Sequence, residues 1–317
     1  MRIVFMGTPE FAVPSLKALL DAGHELVGVV TATDKIGGRG KKQLIQSPVK
    51  KYALSYGLPV LQPKNLKSPE FIDALKALQP EIGVVVAFRM LPEVVWSLPP
   101  KGTINLHASL LPKYRGAAPI NWAIINGEHT TGLTTFFIQK EIDTGDIILQ
   151  RTVPIGPDET AGELHDRMMH IGAQLLVDTL AQIESGDYEL KKQNDQEATP
   201  APKIYHETCA INWNQPAVQV YNFIRGLSPY PAAWTLFQGK QLDIYKARRE
   251  IAANKILRPG TWETDGKSWL RFATTDGYIY PLEVKLSGKR RMPIDDLLRG
   301  LRFVALSGET STINNNK

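Results

Sequence analysis

Residues 82–88 read Ile-Gly-Val-Val-Val-Ala-Phe, an apolar run in which polar and apolar side chains do not alternate. A strand that is apolar on both faces is typical of the centre of a parallel sheet, where helices cover both sides. Shorter apolar strands at 2–6 and 59–61 precede it, with helix-like segments between the strands. This order predicts an α/β fold with a doubly wound, Rossmann-like N-terminal domain.

The pattern changes after a Gln-, Asp- and Pro-rich stretch at 191–203. One helix is predicted there, at 217–226, and the rest consists of short alternating segments separated by turns such as Gly-Lys and Asp-Gly. The predicted strands lie at 234–237, 241–247, 269–273 and 278–284. Such strands predict a smaller C-terminal domain that is an open, OB-like β-barrel. The predicted divisions are a catalytic domain over 1–190, a linker over 191–203, a barrel over 204–307 and a flexible tail over 308–317.

Composition narrows the class of protein. No apolar run approaches the roughly 20 residues needed to span a bilayer, and the N-terminus lacks the pattern of a signal peptide. The single cysteine, Cys209, excludes an internal disulfide and a multi-cysteine metal site. We therefore expect a cytoplasmic protein with no membrane partner and no bound metal.

Charge is unevenly distributed along the chain. Residues 204–317 contain 16 Lys and Arg against 10 Asp and Glu, whereas residues 1–203 contain 21 against 22. The net charge of +5 therefore arises from the C-terminal part. A basic domain appended to a nearly neutral one indicates a polyanionic partner.

The segment Asn105-Leu106-His107 lies at the end of an apolar strand and is followed by a loop. Side chains alternate along a strand, so Asn105 and His107 share one face. The turn Asp143-Thr144-Gly145 could bring a carboxylate to His107 and orient its imidazole. Without a nucleophile elbow or metal-ligand spacing, these three residues suit the direct transfer of an acyl group to an amine. Asn105 would stabilise the oxyanion and His107 would handle the proton.

Two further features bear on the ligand. The opening strand continues as Gly7-Thr8-Pro9-Glu10, with one glycine where a dinucleotide-binding turn needs three, which argues against an NAD-dependent enzyme. An open parallel sheet still binds its ligand beyond the carboxyl ends of its strands. Phe88 and His107 lie at two such ends.

The run 105–119, together with Asp143-Thr144-Gly145, closely resembles the 10-formyltetrahydrofolate-dependent formyltransferases. This resemblance implies that 10-formyltetrahydrofolate is the formyl donor and that Asn105, His107 and Asp143 are catalytic. It also implies that Ser109, Leu110, Leu111 and Pro112 form part of the folate-binding wall. Relatives usually have Ala-Tyr-Gly where this chain has Ala87-Phe88-Arg89, so Phe88 keeps an aromatic side chain at the folate site.

The layout of nearly the whole chain is similar to the members of that family that formylate methionine on initiator methionyl-tRNA. In those enzymes a basic loop inserts at the acceptor stem. The resemblance therefore implies that Arg39, Lys41 and Lys42 bind tRNA, and it favours a monomer.

Two alternatives remain open at this point. The same chemistry could serve a small amine such as a sugar nucleotide or a ribonucleotide, although a small acceptor does not need a basic C-terminal domain. The chain could also be a nucleic-acid-binding module on a catalytically inactive α/β domain. The presence of Asn105, His107 and Asp143 argues against that reading.

Overall fold

The computed structural model describes residues 1–37, 43–252, 257–303 and 305–310. Contacts between Cα atoms divide the chain into two compact units. The first contains residues 1–119, 131–154 and 165–201, and the second contains residues 120–130, 155–164 and everything after Ala201.

The first unit is built on a largely parallel sheet with helices between its strands. Its strands are β1 (Arg2–Gly7), β2 (Glu25–Val30), β3 (Lys35–Gly37), β4 (Gln43–Ile45), β5 (Val60–Leu61), β6 (Ile82–Val86), β7 (Thr103–His107), β8 (Arg115–Gly116), β9 (Thr130–Phe137), β10 (Ile147–Pro154) and β11 (Pro200–Ala201). The helices that begin in residues 1–201 are α1 (Val13–Asp21), α2 (Pro48–Ser55), α3 (Pro69–Ala77), α4 (Glu93–Trp96), α5 (Pro119–Ile125) and α6 (Ala161–Ser185).

Within the described residues, the main sheet has the strand order β10-β9-β7-β6-β1-β2-β5. β1 pairs in parallel with β2 on one side and with β6 on the other. β7 continues the parallel part beside β6, and β9 then pairs antiparallel with β7. Every residue of β6 is buried, as its apolar sequence predicts. The strand order reverses between β1 and β6, and such a switch point opens a crevice at the carboxyl ends of the strands.

Two serine-proline pairs begin helices of the first unit, and each serine acts as an N-cap. The Ser47 and Ser68 hydroxyls accept hydrogen bonds from the backbone N–H groups of Lys50 and Phe71, and each serine precedes a proline at the first helical position. The Thr8-Pro9 pair behaves differently. It precedes a short 3₁₀ turn at Glu10–Ala12 that has no side-chain cap, and α1 begins only at Val13.

The second unit is an antiparallel sheet packed on a helix. Its further elements are α7 (Ala217–Leu227), β12 (Ala233–Phe237), β13 (Lys240–Ile251), β14 (Thr261–Thr264), β15 (Leu270–Ala273), β16 (Gly277–Leu286), β17 (Met292–Pro293), α8 (Ile294–Arg299) and β18 (Ser307–Glu309). The strand order is β12-β13-β16-β15-β14-β18, and β17 pairs with β16. The register of β13 against β16 shifts between Ile244 and Lys246. Such irregularities bend a strand and curl its sheet, which fits the predicted open barrel.

The core of the second unit is rich in aromatic side chains. Trp213 stacks on Phe272, and Phe237 meets Trp262 edge-on. α7 contributes Val220 and Ile224 to the same buried cluster. This apolar core is large enough for the unit to count as a domain of its own.

Two stretches that were expected to lack regular structure carry strands. β11 lies within the predicted linker 191–203 and pairs in parallel with β8. β18 includes the first two residues of the predicted tail 308–317 and pairs with β14. Both pairings join segments that are distant in sequence, so local composition does not reveal them. Across the described residues, no helix has the length and apolar character needed to cross a bilayer.

Candidate active site

β7 places the first two candidate catalytic residues at the edge of the crevice. It lies between β6 and β9, where Asn105 is opposite Val85 on one side and Phe136 on the other. Asn105 is half-buried, and its side-chain amide has no hydrogen-bond partner among the described residues. An amide that the protein does not use is free to donate to a ligand.

His107 ends β7 and is 7% exposed. Its Nε2 lies 2.8 Å from the carbonyl oxygen of Tyr114. A carbonyl can only accept a hydrogen bond, so we assign the proton of the neutral ring to Nε2. In this tautomer Nδ1 is an acceptor, and it faces the carboxylate of Asp143.

The Nδ1 atom of His107 lies 3.8 Å from Oδ2 of Asp143. This separation exceeds a hydrogen bond but lies within ion-pair range. Both side chains are largely buried, with 8% and 12% of their surfaces exposed. An N–H group placed between these two acceptors could donate to either of them.

The Asp143 turn is fixed by its backbone. Asp143 has a φ of 55°, in the left-handed region, and its Oδ2 accepts a hydrogen bond of 2.9 Å from the N–H of Gly116. A Cβ atom on Gly145 would lie 1.7 Å from the carbonyl oxygen of Phe137, so only glycine fits there. The close approach of these backbones sets where the carboxylate points.

The four residues of the predicted folate wall differ in what they can offer a ligand. Ser109 is fully buried, and its hydroxyl donates to the carbonyl of Lys113. Leu111 is 3% exposed and packs with Phe136 and Ile147. Leu110 and Pro112 are partly exposed, and the Leu111–Pro112 peptide bond is cis. Side-chain contact with a ligand is therefore open to Leu110 and Pro112, whereas Ser109 and Leu111 shape the loop from inside.

Comparison with known proteins decides the family. The family model described as formyl transferase matches residues 1–180, and the model described as formyl transferase, C-terminal domain matches residues 203–302. The chain is 50% identical over 312 residues to the methionyl-tRNA formyltransferase of Bacteroides fragilis, and the match covers 96% of each chain. This chain belongs to the methionyl-tRNA formyltransferase family. It is thus an enzyme, a one-carbon transferase.

Solved structures agree with the fold of this methionyl-tRNA formyltransferase family member. HypX from Aquifex aeolicus, crystallised with tetrahydrofolic acid, matches with a TM-score of 0.65 at 19% identity. The match covers 94% of this chain and 47% of HypX, so this chain spans about half the length of HypX. A methionyl-tRNA formyltransferase from Clostridium thermocellum matches with a TM-score of 0.54 at 18% identity, covering 81% of this chain and 96% of that one. Together with the family models, these matches confirm the predicted Rossmann-like domain with its smaller β-domain.

The remaining predicted folate contact of this formyltransferase, Phe88, follows β6 and is half-buried. It packs against the buried cluster that includes Val85 and Leu91. The guanidinium carbon of Arg89 lies 5.7 Å from the centre of the Phe88 ring, and the guanidinium donates to the carbonyls of Pro63 and Lys64. Arg89 thus occupies the wall of a neighbouring cavity of about 750 Å³, whose other cations are Lys64, Lys67 and Lys140.

The predicted tRNA-binding residues Arg39, Lys41 and Lys42 lie outside the described residues. The strands on either side of them, β3 and β4, pair antiparallel. Just before β3, Asp34 accepts a hydrogen bond of 2.6 Å from the Lys50 ammonium. That bond, followed by a second from the Gln62 amide, lowers the pKa of the Asp34 carboxyl.

Tyr114 and Gly116 are site residues that the sequence did not single out for a role. Each acts through its main chain, Tyr114 with a carbonyl and Gly116 with an N–H group. Both lie in the run 105–119 that carries the family resemblance, which was the only available signal.

The described residues contain no cluster of three His, Cys, Asp or Glu side chains that could hold a metal ion.

Proposed function

We propose that this enzyme transfers the formyl group of 10-formyltetrahydrofolate to the α-amino group of methionine on initiator methionyl-tRNA. The observation that carries the proposal is a set of three groups in the first unit. The unpartnered amide of Asn105 is two residues before His107 on the same strand, and Nδ1 of His107 lies 3.8 Å from the carboxylate of Asp143. These groups supply a hydrogen-bond donor for an oxyanion and two acceptors for an amine.

The proposed reaction needs no covalent intermediate with the protein. The α-amino nitrogen attacks the formyl carbon, and the electron pair of the carbonyl moves to its oxygen. Asn105 donates a hydrogen bond to that oxyanion, an effect typically worth about 10² to 10³ in rate. When the tetrahedral intermediate collapses, the bond from the formyl carbon to N10 of the folate breaks.

The geometry around His107 supports a role in proton transfer. Because Nε2 donates to the carbonyl of Tyr114, Nδ1 has a lone pair to accept a proton from the attacking amine. The Asp143 carboxylate stands beside it and would accept a hydrogen bond from a second N–H of that amine. Proton transfer of this kind contributes about 10² to 10⁴ in rate. The proton returns through His107 to N10 of the leaving folate.

The donor is proposed to bind in the crevice at the carboxyl ends of β6 and β7. Phe88, Leu110 and Pro112 offer partly exposed apolar surface there. The main chain of 109–112 is held rigidly, since the Thr134 hydroxyl donates to the carbonyl of Ser109 and accepts from the N–H of Leu111. A preformed apolar wall of this kind suits a flat heterocycle.

The proposed acceptor, tRNA, rests on charge as well as on relatedness. In the second unit Lys246, Arg248 and Arg249 are exposed on β13. Arg248 lies over the ring of Tyr280 at 3.6 Å, and its Nη1 is 3.4 Å from the carboxylate of Glu250, so the other N–H groups of the guanidinium are available for phosphate. Arg291 is less available, because it is bonded to both carboxylate oxygens of Glu283. We further propose that the enzyme acts in the cytoplasm and that it is a monomer. Light scattering would test the oligomeric state.

The test is a formylation assay with 10-formyltetrahydrofolate and either methionyl-tRNA or free small amines, including sugar nucleotides. We expect formylmethionine on the tRNA and a rate that falls with salt, since phosphate contacts are screened. Preferential formylation of a small amine would overturn the proposed acceptor.

A paired set of variants tests the catalytic residues. His107→Ala should lower kcat by about 10² to 10⁴, whereas His170→Ala, at an exposed position on α6, should stay within about twofold of the parent enzyme. A fully active His107→Ala variant would overturn the proposed mechanism.

A further inference from the structure

The stretch 191–201, expected as a linker, runs along the first unit and is bonded to it at several points. Lys191 and Ile147 exchange backbone hydrogen bonds of 2.8 and 2.9 Å. β11 pairs with β8, and the N–H of Arg115 donates to the carbonyl of Thr199. The stretch 191–201 is therefore part of the folded structure around the candidate active site and is not a free linker.

Gln193 lies at the centre of these contacts. Its Nε2 donates to the carbonyl of Asp143 at 2.9 Å and to the carbonyl of Gly145 at 2.8 Å. Its Oε1 accepts from Nε and Nη2 of Arg115 at 3.0 and 2.8 Å. The two N–H donors and both lone pairs of this amide are thus used, which only a glutamine of this length and orientation provides.

The two carbonyls that Gln193 holds flank the candidate catalytic carboxylate. Asp143 has a left-handed backbone, which a non-glycine residue keeps only when its surroundings enforce it. Gln193 clamps the turn on either side of Thr144. The direction of the Asp143 side chain toward His107 therefore depends on a contact 50 residues away in sequence.

Arg115 and its neighbour Tyr114 contact the same stretch, 191–201. Its guanidinium, held by Gln193, also donates to Asp195 at 2.7 Å. The neighbouring Tyr114 donates its N–H to the hydroxyl of Thr199 at 2.9 Å, and the Tyr114 carbonyl accepts from His107. One stretch of chain thus holds both the carboxylate turn and the carbonyl that orients the imidazole.

We propose that Gln193 is a positioning residue for formyl transfer, acting through Asp143. It does not touch the reacting atoms. By fixing the carbonyls of Asp143 and Gly145, it sets the 3.8 Å separation between the carboxylate and Nδ1 of His107. The proposal rests on the catalytic role proposed for Asp143, and the experiment below separates the two.

The first test compares Gln193→Met with Gln196→Met. Methionine has a similar length but no hydrogen-bonding amide, and Gln196 is exposed in the short turn Asp195–Glu197 of the same stretch. We expect Gln193→Met to lower kcat by about 10- to 100-fold, since small misplacements of catalytic groups have effects of this size. The KM values for methionyl-tRNA and for the donor should change less than about twofold, and Gln196→Met should behave as the parent.

The second test is a double-mutant cycle in the full-length enzyme with Asp143→Asn. If Gln193 acts through the carboxylate, Gln193→Met should reduce the already low kcat of Asp143→Asn by less than about threefold. Independent, multiplicative losses would overturn the proposal. A fully active Asp143→Asn enzyme would instead contradict the proposed catalytic role of that residue.

A third variant distinguishes the loss of the two donated hydrogen bonds from a loss of folding. Gln193→Glu keeps the contact with Arg115 but replaces the amide donors with an oxygen that faces two carbonyls. We expect a loss of kcat equal to or greater than that of Gln193→Met, with a thermal midpoint close to the parent's. Parent-like activity in Gln193→Glu would show that the two donated hydrogen bonds are not needed, and would overturn the proposal.

Discussion

The Nε2 atom of His107 lies 2.8 Å from the carbonyl oxygen of Tyr114, seven residues further along the chain. The loop after β7 therefore folds back so that its own main chain orients the imidazole. This differs from the arrangement expected from the sequence, in which the carboxylate of Asp143 orients the ring. Asp143 faces the other nitrogen at 3.8 Å.

This relationship predicts how Asp143→Asn should behave. The variant should lose at least about 10² in kcat if the carboxylate assists proton transfer, yet the neutral ring should keep its proton on Nε2 because the Tyr114 carbonyl is unchanged. Two-dimensional ¹H–¹⁵N spectra of the imidazole would identify the tautomer. A proton that moves to Nδ1 would contradict the assignment.

Asn105→Ala should lower kcat by about 10² to 10³ while the affinity for the donor changes little, because the amide acts on charge that develops only in the transition state. Asn105→Asp is the stricter variant, since it keeps the shape but places an acceptor where a donor is needed. Steady-state kinetics with both substrates would measure these losses. An equal rise in KM for the donor with kcat unchanged would instead indicate a role in ground-state binding.

Gly145→Ala should destabilise the protein by about 2–4 kcal/mol, because its Cβ would overlap the carbonyl oxygen of Phe137. Gly57→Ala is the matched control. Gly57 has a φ of 65° but no atom within 4 Å of an added Cβ, so only the left-handed backbone is strained there. That control should lose about 1 kcal/mol. Urea unfolding would measure both, and equal losses would contradict the predicted clash.

Burial raises the pKa of the Cys209 thiol to about 11, with a smaller contribution from Glu207. A raised pKa in the folded state means that the unfolded chain loses this proton first. The stability associated with the neutral thiol is therefore fully present below pH 9 and is lost as the pH rises toward 11. The difference in unfolding free energy between the parent and Cys209→Ala should shrink over that range. A difference that stays constant with pH would contradict the prediction.

The sequence predicted much of the architecture because the relevant signals are local. The apolar run of β6 indicated a buried parallel strand, and a serine before a proline is a local signal of the kind found at the starts of α2 and α3. The helix predicted at 217–226 agrees closely with α7, Ala217–Leu227. β14 was not predicted from the sequence.

The contacts that connect distant segments were not predictable in the same way. Gln193 lies in a polar, proline-containing stretch that has the composition of a linker, and nothing in its neighbours indicates a contact with Asp143. The main-chain groups of Tyr114 and Gly116 carry no signal in the identity of their side chains, apart from the freedom that glycine gives Gly116 at a φ of 128°.

The sequence by itself determined that Asn105 and His107 share a strand face, because alternation along a β-strand depends only on the covalent backbone. It also determined that this strand ends beside an apolar parallel sheet. Only the tertiary structure decided which nitrogen of His107 faces the carboxylate, and which stretch of chain holds that carboxylate in place. Those choices depend on differences of a few tenths of an ångström in the distances between side chains and main chain. The packing of the folded protein sets these distances.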